Sequence, residues 1–228
     1  MTVSDQRFMV DDGLLDEIVG YGELRSGDVV LEVGAGEGEL TEKIAVQAKV
    51  TAVENDHRLY RVLERRFKGD SRVFLLHGDA LRVEYPPHNK IISNIPYSIS
   101  RKLVERFILN GFDTAVLVVQ SEFAKKLGAK PLYGNYRMVS VLAQSTCDVE
   151  VLRGIPADSF HPKPNVSSSV VRLKQVWRPP EGYLTFLNRL FSLKNKKIRN
   201  IMEVPGAYLQ KRPCEMTPQE ILGLYRCF

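Results

Sequence analysis

The sequence predicts an α/β fold: a mostly parallel sheet with helices on both faces, plus a small helical C-terminal domain. Three observations predict it. Short apolar, β-rich runs alternate with amphipathic helical runs from residue 29 to residue 119. The strand-like runs 148–152 and 169–173 have little between them to make a crossover helix, which suits an antiparallel pair at one sheet edge. The stretch WRPPEG at 177–182 stops both periods, because two prolines and a glycine fit neither helix nor strand. The boundary is therefore expected there, giving domains 1–176 and 177–228.

The elements follow in order. Residues 29–33 read as a buried strand and 39–48 as a helix. Residues 50–53 are a strand and 58–67 a charged helix; 73–76 and 91–92 are short strands. In 101–109, Leu103, Val104, Phe107 and Ile108 form one helical stripe, and 114–119 is a strong buried strand. A helix is expected over 135–144. Beyond the linker, 183–193 and 217–225 read as helices. The second opens with Thr217 as N-cap, Pro218 at the first position and Glu220 completing a capping box.

Composition narrows the class. Apolar residues make up 44% and charged residues 26% of 228, as in ordinary soluble globular proteins. No apolar run approaches the roughly 20 residues of a membrane span. The opening MTVSDQRFMVDD is polar and acidic, unlike a secretory leader. Cys147, Cys214 and Cys227 are odd in number and far apart, which fits a reduced, cytoplasmic setting. His57, His77, His88 and His161 show no metal-ligand spacing, so no metal is expected. Nothing suggests an oligomer, and a monomer is expected. The net charge is +5, and residues 178–228 hold nine Lys/Arg against four Asp/Glu, while the remainder is balanced. That excess fits either a solvated face or a surface for nucleic-acid phosphates.

Three strand ends carry candidate ligand-binding groups. VVLEVGAGEGEL sets Gly34, Gly36 and Gly38 between a strand and a helix, where the backbone can turn tightly and approach a ligand. The next strand ends in Glu54, about 20 residues on, where an acid can accept from ribose hydroxyls. The third runs into HGDAL, placing Asp79 to take an adenine amine and the Ala80 N–H to face a ring nitrogen. Each acid taken alone could be a surface residue. Together they mark the carboxyl ends of successive parallel strands, where ligands of open α/β sheets bind. A dinucleotide and S-adenosylmethionine both fit such a frame. The spacing G-A-G-E-G, with Glu37 inside the loop, suits S-adenosylmethionine better, since it carries no phosphate.

The fourth strand end is SNIPYSIS. The exocyclic nitrogen of adenine is a poor nucleophile because its lone pair is delocalised into the ring. Two acceptors aimed at its N–H bonds favour the charge that develops during attack. Asn94 offers a side-chain carbonyl and Ile95 a backbone carbonyl, Pro96 fixes the turn, and Tyr97 offers a face for a flipped base.

SNIPYSIS resembles the Asn-Leu-Pro-Tyr-Asn-Ile-Ser motif of the small-subunit ribosomal RNA adenine dimethyltransferases. SFHPKPNVSSSVVRL at 159–173, DQRFMVDDGLLDEIV at 5–19, LFSLKNKKIRNIM and KRPCEMTPQEIL resemble further segments of that family, so the likeness spans nearly the whole chain. The resemblance implies a Rossmann-like S-adenosylmethionine-dependent methyltransferase sheet and a basic C-terminal helix. It implies N6,N6-dimethylation of two adjacent adenosines near the 3′ end of small-subunit rRNA, within a pre-ribosomal particle. Gly34, Glu54, Asp79 and Asn94 match its cofactor-contacting positions, as do Arg7 and Met9, although Arg7 stands where the family usually has Asn and Met9 where it has Leu. Phe160 would be the second wall of the adenine slot, opposite Tyr97. Lys194, Lys196, Lys197 and Arg199 would contact RNA. The catalytic motif is shared with the erythromycin-resistance methyltransferases of the large subunit, and KRPCEMTPQEIL favours the small-subunit enzymes. A non-catalytic assembly factor would have no need of Glu54, Asp79, Asn94 and Tyr97 together.

Overall fold

The structure, a computed structural model, describes residues 8, 9, 11–203 and 206–228. Strand β1 (Phe8–Met9) leads into helix α1 (Asp12–Tyr21), which Asp11 caps by accepting from the Leu14 N–H at 3.1 Å. The alternation then runs β2 (Val29–Val33), α2 (Glu39–Ala45), β3 (Lys49–Glu54), α3 (His57–Arg66), β4 (Val73–His77), β5 (Lys90–Asn94), α4 (Ser100–Asn110) and β6 (Thr114–Gln120). Next come α5 (Ser121–Leu127), α6 (Met138–Thr146), β7 (Cys147–Ile155), β8 (Phe160–His161) and β9 (Ser168–Gln175). The chain closes with α7 (Glu181–Ser192) and α8 (Pro218–Tyr225).

Seven strands form one sheet in the order β4-β3-β2-β5-β6-β9-β7. The first five are parallel, and β9 runs antiparallel to both β6 and β7. The expected antiparallel pair is present, with β7 at the edge and β9 inserted beside β6. The direction of strand addition reverses between β2 and β5. Only Val30 and Leu31 of β2 pair with β5, opposite Lys90 and Ile91, so the two strands part toward their carboxyl ends.

The period-two alternation of buried strands sorts the core. Ala115, Leu117 and Val119 of β6 face one cluster with Leu103 and Phe107 of α4. Val116 and Val118 face the other, with Ile18 of α1 and Ile44 of α2. Tyr183, Leu187 and Leu190 of α7 and Ile221 and Leu224 of α8 join the first cluster, so the segment after Trp177 packs into the same apolar body as β6.

Several boundaries differ from the sequence reading. Helix α1 and α5 have no counterpart in it, because α5 follows β6 without a breaker. Helix α6 begins at Met138, three residues after the expected start, because Arg137 is extended and its N–H is taken by Ser140 Oγ at 3.0 Å. The basic run 194–199 is not a helix. Helix α7 stops at Ser192, and the chain turns before a 3₁₀ segment at Ile198–Asn200.

Candidate active site

A cleft of about 470 Å³ opens at the carboxyl ends of the strands, over the gap between β2 and β5. Met9, Gly34, Gly36, Glu54, Ala80, Asn94, Ile95, Pro96 and Tyr97 all line it. Residues from β1, the loop after β2, the end of β3, the loop after β4 and the end of β5 thus meet in one place.

The glycine loop turns back on itself at once. The N–H groups of Gly34 and Ala35 both donate to Val53 O, at 2.8 and 3.2 Å. Gly34 has φ +76°, and a side chain there would lie 3.5 Å from Pro96, so the loop and the Asn-Ile-Pro-Tyr wall stand face to face. Gly38 opens α2 at φ +98°, and a Cβ there would come within 2.6 Å of the Phe67 ring, so only glycine lets α2 dock against α3.

Glu54 is 6% exposed and spans two turns. Its Oε2 accepts from Gly36 N–H at 3.0 Å and its Oε1 from Asp56 N–H at 2.7 Å. Burial raises its carboxyl above the usual carboxylate range, and those N–H bonds oppose the rise. Each oxygen keeps lone-pair capacity for a ligand donor. Glu32, absent from the sequence reading, lies on the same cleft at 1% exposure. Thr41 Oγ1 donates to its Oε2 at 2.5 Å. Burial pushes Glu32 up to about 8, and Glu39 and Glu54 add to the rise. Four carboxyls, Glu32, Glu39, Glu54 and Asp56, border this cleft, and Asp56 pairs with the lining Arg58 at 3.4 Å. Such a wall disfavours a pyrophosphate and suits a ligand carrying ammonium and sulfonium charges.

The opposite wall is held from behind. Ser93, fully buried, donates to Val33 O at 2.6 Å and accepts from Val33 N–H at 3.3 Å. It joins β2 and β5 where the ladder has ended, and so fixes Asn94 relative to Gly34. Ile95 N–H bonds Val118 O at 3.3 Å. Ser100 Oγ donates to Pro96 O at 3.0 Å, closing the 3₁₀ turn Tyr97–Ile99. The Tyr97 hydroxyl bonds Ser168 Oγ on β9, which sets the ring's direction.

The remaining predicted residues lie elsewhere. Asp79 sits between two cleft residues, Gly78 and Ala80, but its Oδ1 accepts from Leu81 N–H at 2.9 Å and its Oδ2 lies 3.5 Å from Arg82. Phe160 is 3% exposed, pairs with Met9 across the β1–β8 ladder, and packs with Met9, Ile155 and Val170. It is not among the residues lining the cleft. Arg7 lies outside the described residues. Lys196 and Arg199 are exposed, and Lys194 and Lys197 half-buried, the latter donating to Gln210 Oε1 at 2.8 Å. Ser93 and Glu32 carried one usable signal, a polar residue within the apolar run of a strand, and Ser168, at the polar start of β9, carried none. Among the described residues no cluster of His, Cys, Asp or Glu could hold a metal ion, and no helix is long and apolar enough to cross a membrane.

Residues 3–216 match the family model described as Ribosomal RNA adenine dimethylase. The chain is 36% identical over 240 residues to the probable ribosomal RNA small subunit methyltransferase A of Methanosarcina barkeri, covering 95% of this chain and 84% of that one. Its counterpart of the same name in Thermococcus onnurineus is 33% identical over 242 residues, covering 95% and 88%. Among solved structures, a dimethyladenosine transferase from Plasmodium falciparum superposes with a TM-score of 0.81 at 25% identity, covering 95% of both chains. The 23S rRNA methyltransferase ErmE superposes with a TM-score of 0.74 at 26% identity, covering 96% of this chain and 98% of that one.

Proposed function

The chain belongs to the ribosomal RNA adenine dimethylase family, and from that premise we propose that it methylates the N6 amines of two adjacent adenosines near the 3′ end of small-subunit rRNA. The methyl donor is S-adenosylmethionine, and the substrate is a pre-ribosomal particle in the cytoplasm, engaged by a monomer. One observation carries the reading: Asn94-Ile-Pro-Tyr97 forms one wall of the cleft whose other wall is the glycine loop and Glu54.

The acidic wall fits the donor's positive groups. Glu54 would hold the ribose hydroxyls, the Gly34–Gly36 backbone the amino-acid end, and Ala80 with Asp79 the adenine, while Met9 closes the side. Glu32, a neutral acid in the ligand-free cleft, would become a charged partner only as the arriving ammonium group draws its pKa down. When bound, S-adenosylmethionine supplies an electrophilic sulfonium methyl.

The protein's own part is to prepare the substrate amine. The Asn94 side-chain carbonyl accepts one of its N–H bonds and the Ile95 carbonyl the other. Both dipoles favour the positive charge that grows on nitrogen as it becomes tetrahedral. Pro96 and the Ser100 bond behind it keep those acceptors still. Neither acceptor is basic enough to retain the proton, which passes to solvent. Tyr97 stacks on the flipped base. To Phe160 we assign the backing of the Met9 wall. Residues 1–176 act as the catalytic part and 177–228 as the RNA-facing part.

The test is Asn94→Ala. Loss of one preorganised acceptor of this kind typically costs about 10²–10³ in kcat. Single-turnover methyl transfer to unmethylated small subunits should fall by that factor, with cofactor binding still measurable by calorimetry. A near-wild-type rate would end this mechanism. The likeness to ErmE favours a second reading, methylation of a large-subunit adenosine. Tritiated-methyl incorporation into small and large subunits side by side separates the two.

A further inference from the structure

Residues 123–147 hold four cations, Lys125, Lys126, Lys130 and Arg137, and no acid. Part of this stretch is the loop 128–137 between α5 and α6. At its tip Leu132 and Tyr133 are 76% and 66% exposed. Leu132 sits at φ +71°, a region that bulky residues rarely enter. The fold holds it there: Leu132 N–H donates to Cys214 O at 2.8 Å, and Tyr136 N–H to Tyr133 O at 3.0 Å. The backbone is thus constrained in a conformation that leaves two large apolar side chains in water.

The same ties bring two distant basic stretches together. The Tyr136 hydroxyl donates to Met216 O at 2.8 Å. Arg137 Nη1 and Lys194 Nζ both donate to Tyr136 O, at 2.8 and 3.4 Å. Arg137 and Lys194 therefore meet at Tyr136 O, Cys214 N–H donates to Lys194 O at 3.1 Å, and the exposed Lys130 and Lys196 each lie two residues from one of these ties. An exposed ring among cations is the make-up of a nucleotide-stacking surface: the cations meet phosphates, and the ring meets the face of any unpaired base. Charge selects the occupant: four cations and no acid in residues 123–147 match a phosphate backbone.

Resting on the proposed rRNA substrate, the geometry points to a second RNA contact on this loop, where Tyr133 stacks on an unpaired nucleotide outside the methylation cleft and Lys130, Arg137, Lys194 and Lys196 hold the adjoining phosphates. Leu132 flanks the stacked base.

The experiment compares wild type with Tyr133→Ala and Tyr133→Phe on unmethylated small subunits and on the naked 3′-terminal rRNA fragment. Phe74→Ala serves as the control, an aromatic 58% exposed on β4 at the far sheet edge. Tyr133→Ala should raise KM for the particle and Kd for the fragment by about ten-fold, the effect of losing one stacked base. Its kcat and cofactor affinity should be unchanged, and Tyr133→Phe and Phe74→Ala should match wild type. If wild type methylates the particle and Tyr133→Ala does so with the same KM, the surface is refuted and the proposed function stands. A defect confined to the particle, with fragment binding intact, would assign the loop to a ribosomal protein and overturn the RNA contact. If wild type neither binds nor methylates the particle, the proposed function fails, and this surface fails with it.

Discussion

Glu32 and Glu54 show how one cleft treats two carboxyls differently. Glu54 is held by two backbone N–H groups and remains available as an acceptor. Hydrogen bonds to charged groups contribute roughly 1.5–3 kcal/mol each. Glu54→Ala should therefore weaken S-adenosylmethionine binding about ten-fold or more, and calorimetry giving unchanged affinity in a folded variant would remove Glu54 from the site. Among the described residues Glu32 has the Thr41 hydroxyl as its side-chain partner and lies near Glu39 and Glu54, and burial lets the folded protein hold its proton up to about 8. An acid whose folded pKa is raised binds more protons folded than unfolded. Its contribution is then most favourable at low pH and is lost as pH rises from the ordinary carboxylate range toward 8. Across that window the stability of the ligand-free protein should fall with a slope approaching about 1.4 kcal/mol per pH unit. Glu32→Gln should flatten this part of a denaturant-derived stability profile. An identical slope in the variant would show that Glu32 is ionised in the folded state.

At the scale of elements, the two walls of the cleft are coupled through α4. Arg106 on this helix donates through Nη1 and Nη2 to Leu81 O and Val83 O, and its guanidinium lies 4.6 Å from the Tyr85 ring centre. Tyr85 in turn donates to Ala80 O at 2.5 Å, and burial pushes its phenol up to about 12, so it stays a donor at neutral pH. The helix that follows the Asn94 wall thus also holds the loop expected to receive the cofactor's adenine. Arg106→Met keeps the stem and removes the donors, leaving two loop carbonyls without them. Cofactor affinity should fall several-fold, while kcat at saturating cofactor changes little. A variant with an unchanged KM for S-adenosylmethionine would show that the loop holds its shape without Arg106. Much of this frame is legible in the sequence because Gly34, Glu54 and Asn94 are strand ends or their next residues and Ala80 lies three beyond one, and in a parallel sheet strand ends share one edge. Glu32 breaks the apolar run of β2, but a strand buried on both faces has no polar side, so the break does not say which way the side chain points. Ser168 and Arg106 act across the fold on Tyr97 and on the 79–85 loop, and no local spacing announces such partners. The resemblance implies a basic helix reaching residues 194–199, but α7 has ended at Ser192 and the chain turns to reach the Ile198–Asn200 segment.

Across the whole molecule, charge is divided unevenly between the two parts. All of the +5 excess falls in residues 178–228, while the part that carries the cleft is neutral overall and acidic at the cleft itself. Phosphate contacts give affinity and register but little sequence information. On the proposed function, this division would separate two tasks, holding a cationic donor among carboxyls and holding a polyanion at a distance from them. Of the basic run, Lys196 and Arg199 are exposed, and Lys197 is half-buried against Gln210. Because the run is a turn and a 3₁₀ segment, its cations spread around the chain. Neutralising Lys196 and Lys197 together should flatten the log–log salt dependence of particle binding by up to about one unit per lost contact. Lys196 should account for more of this than Lys197, whose ammonium already has a partner. Cofactor affinity and the methylated positions should stay as in wild type, since the cleft residues are untouched. An unchanged salt slope in the double variant would mean that this excess charge is a solvated face, and the phosphate contacts would then have to be sought on the catalytic part.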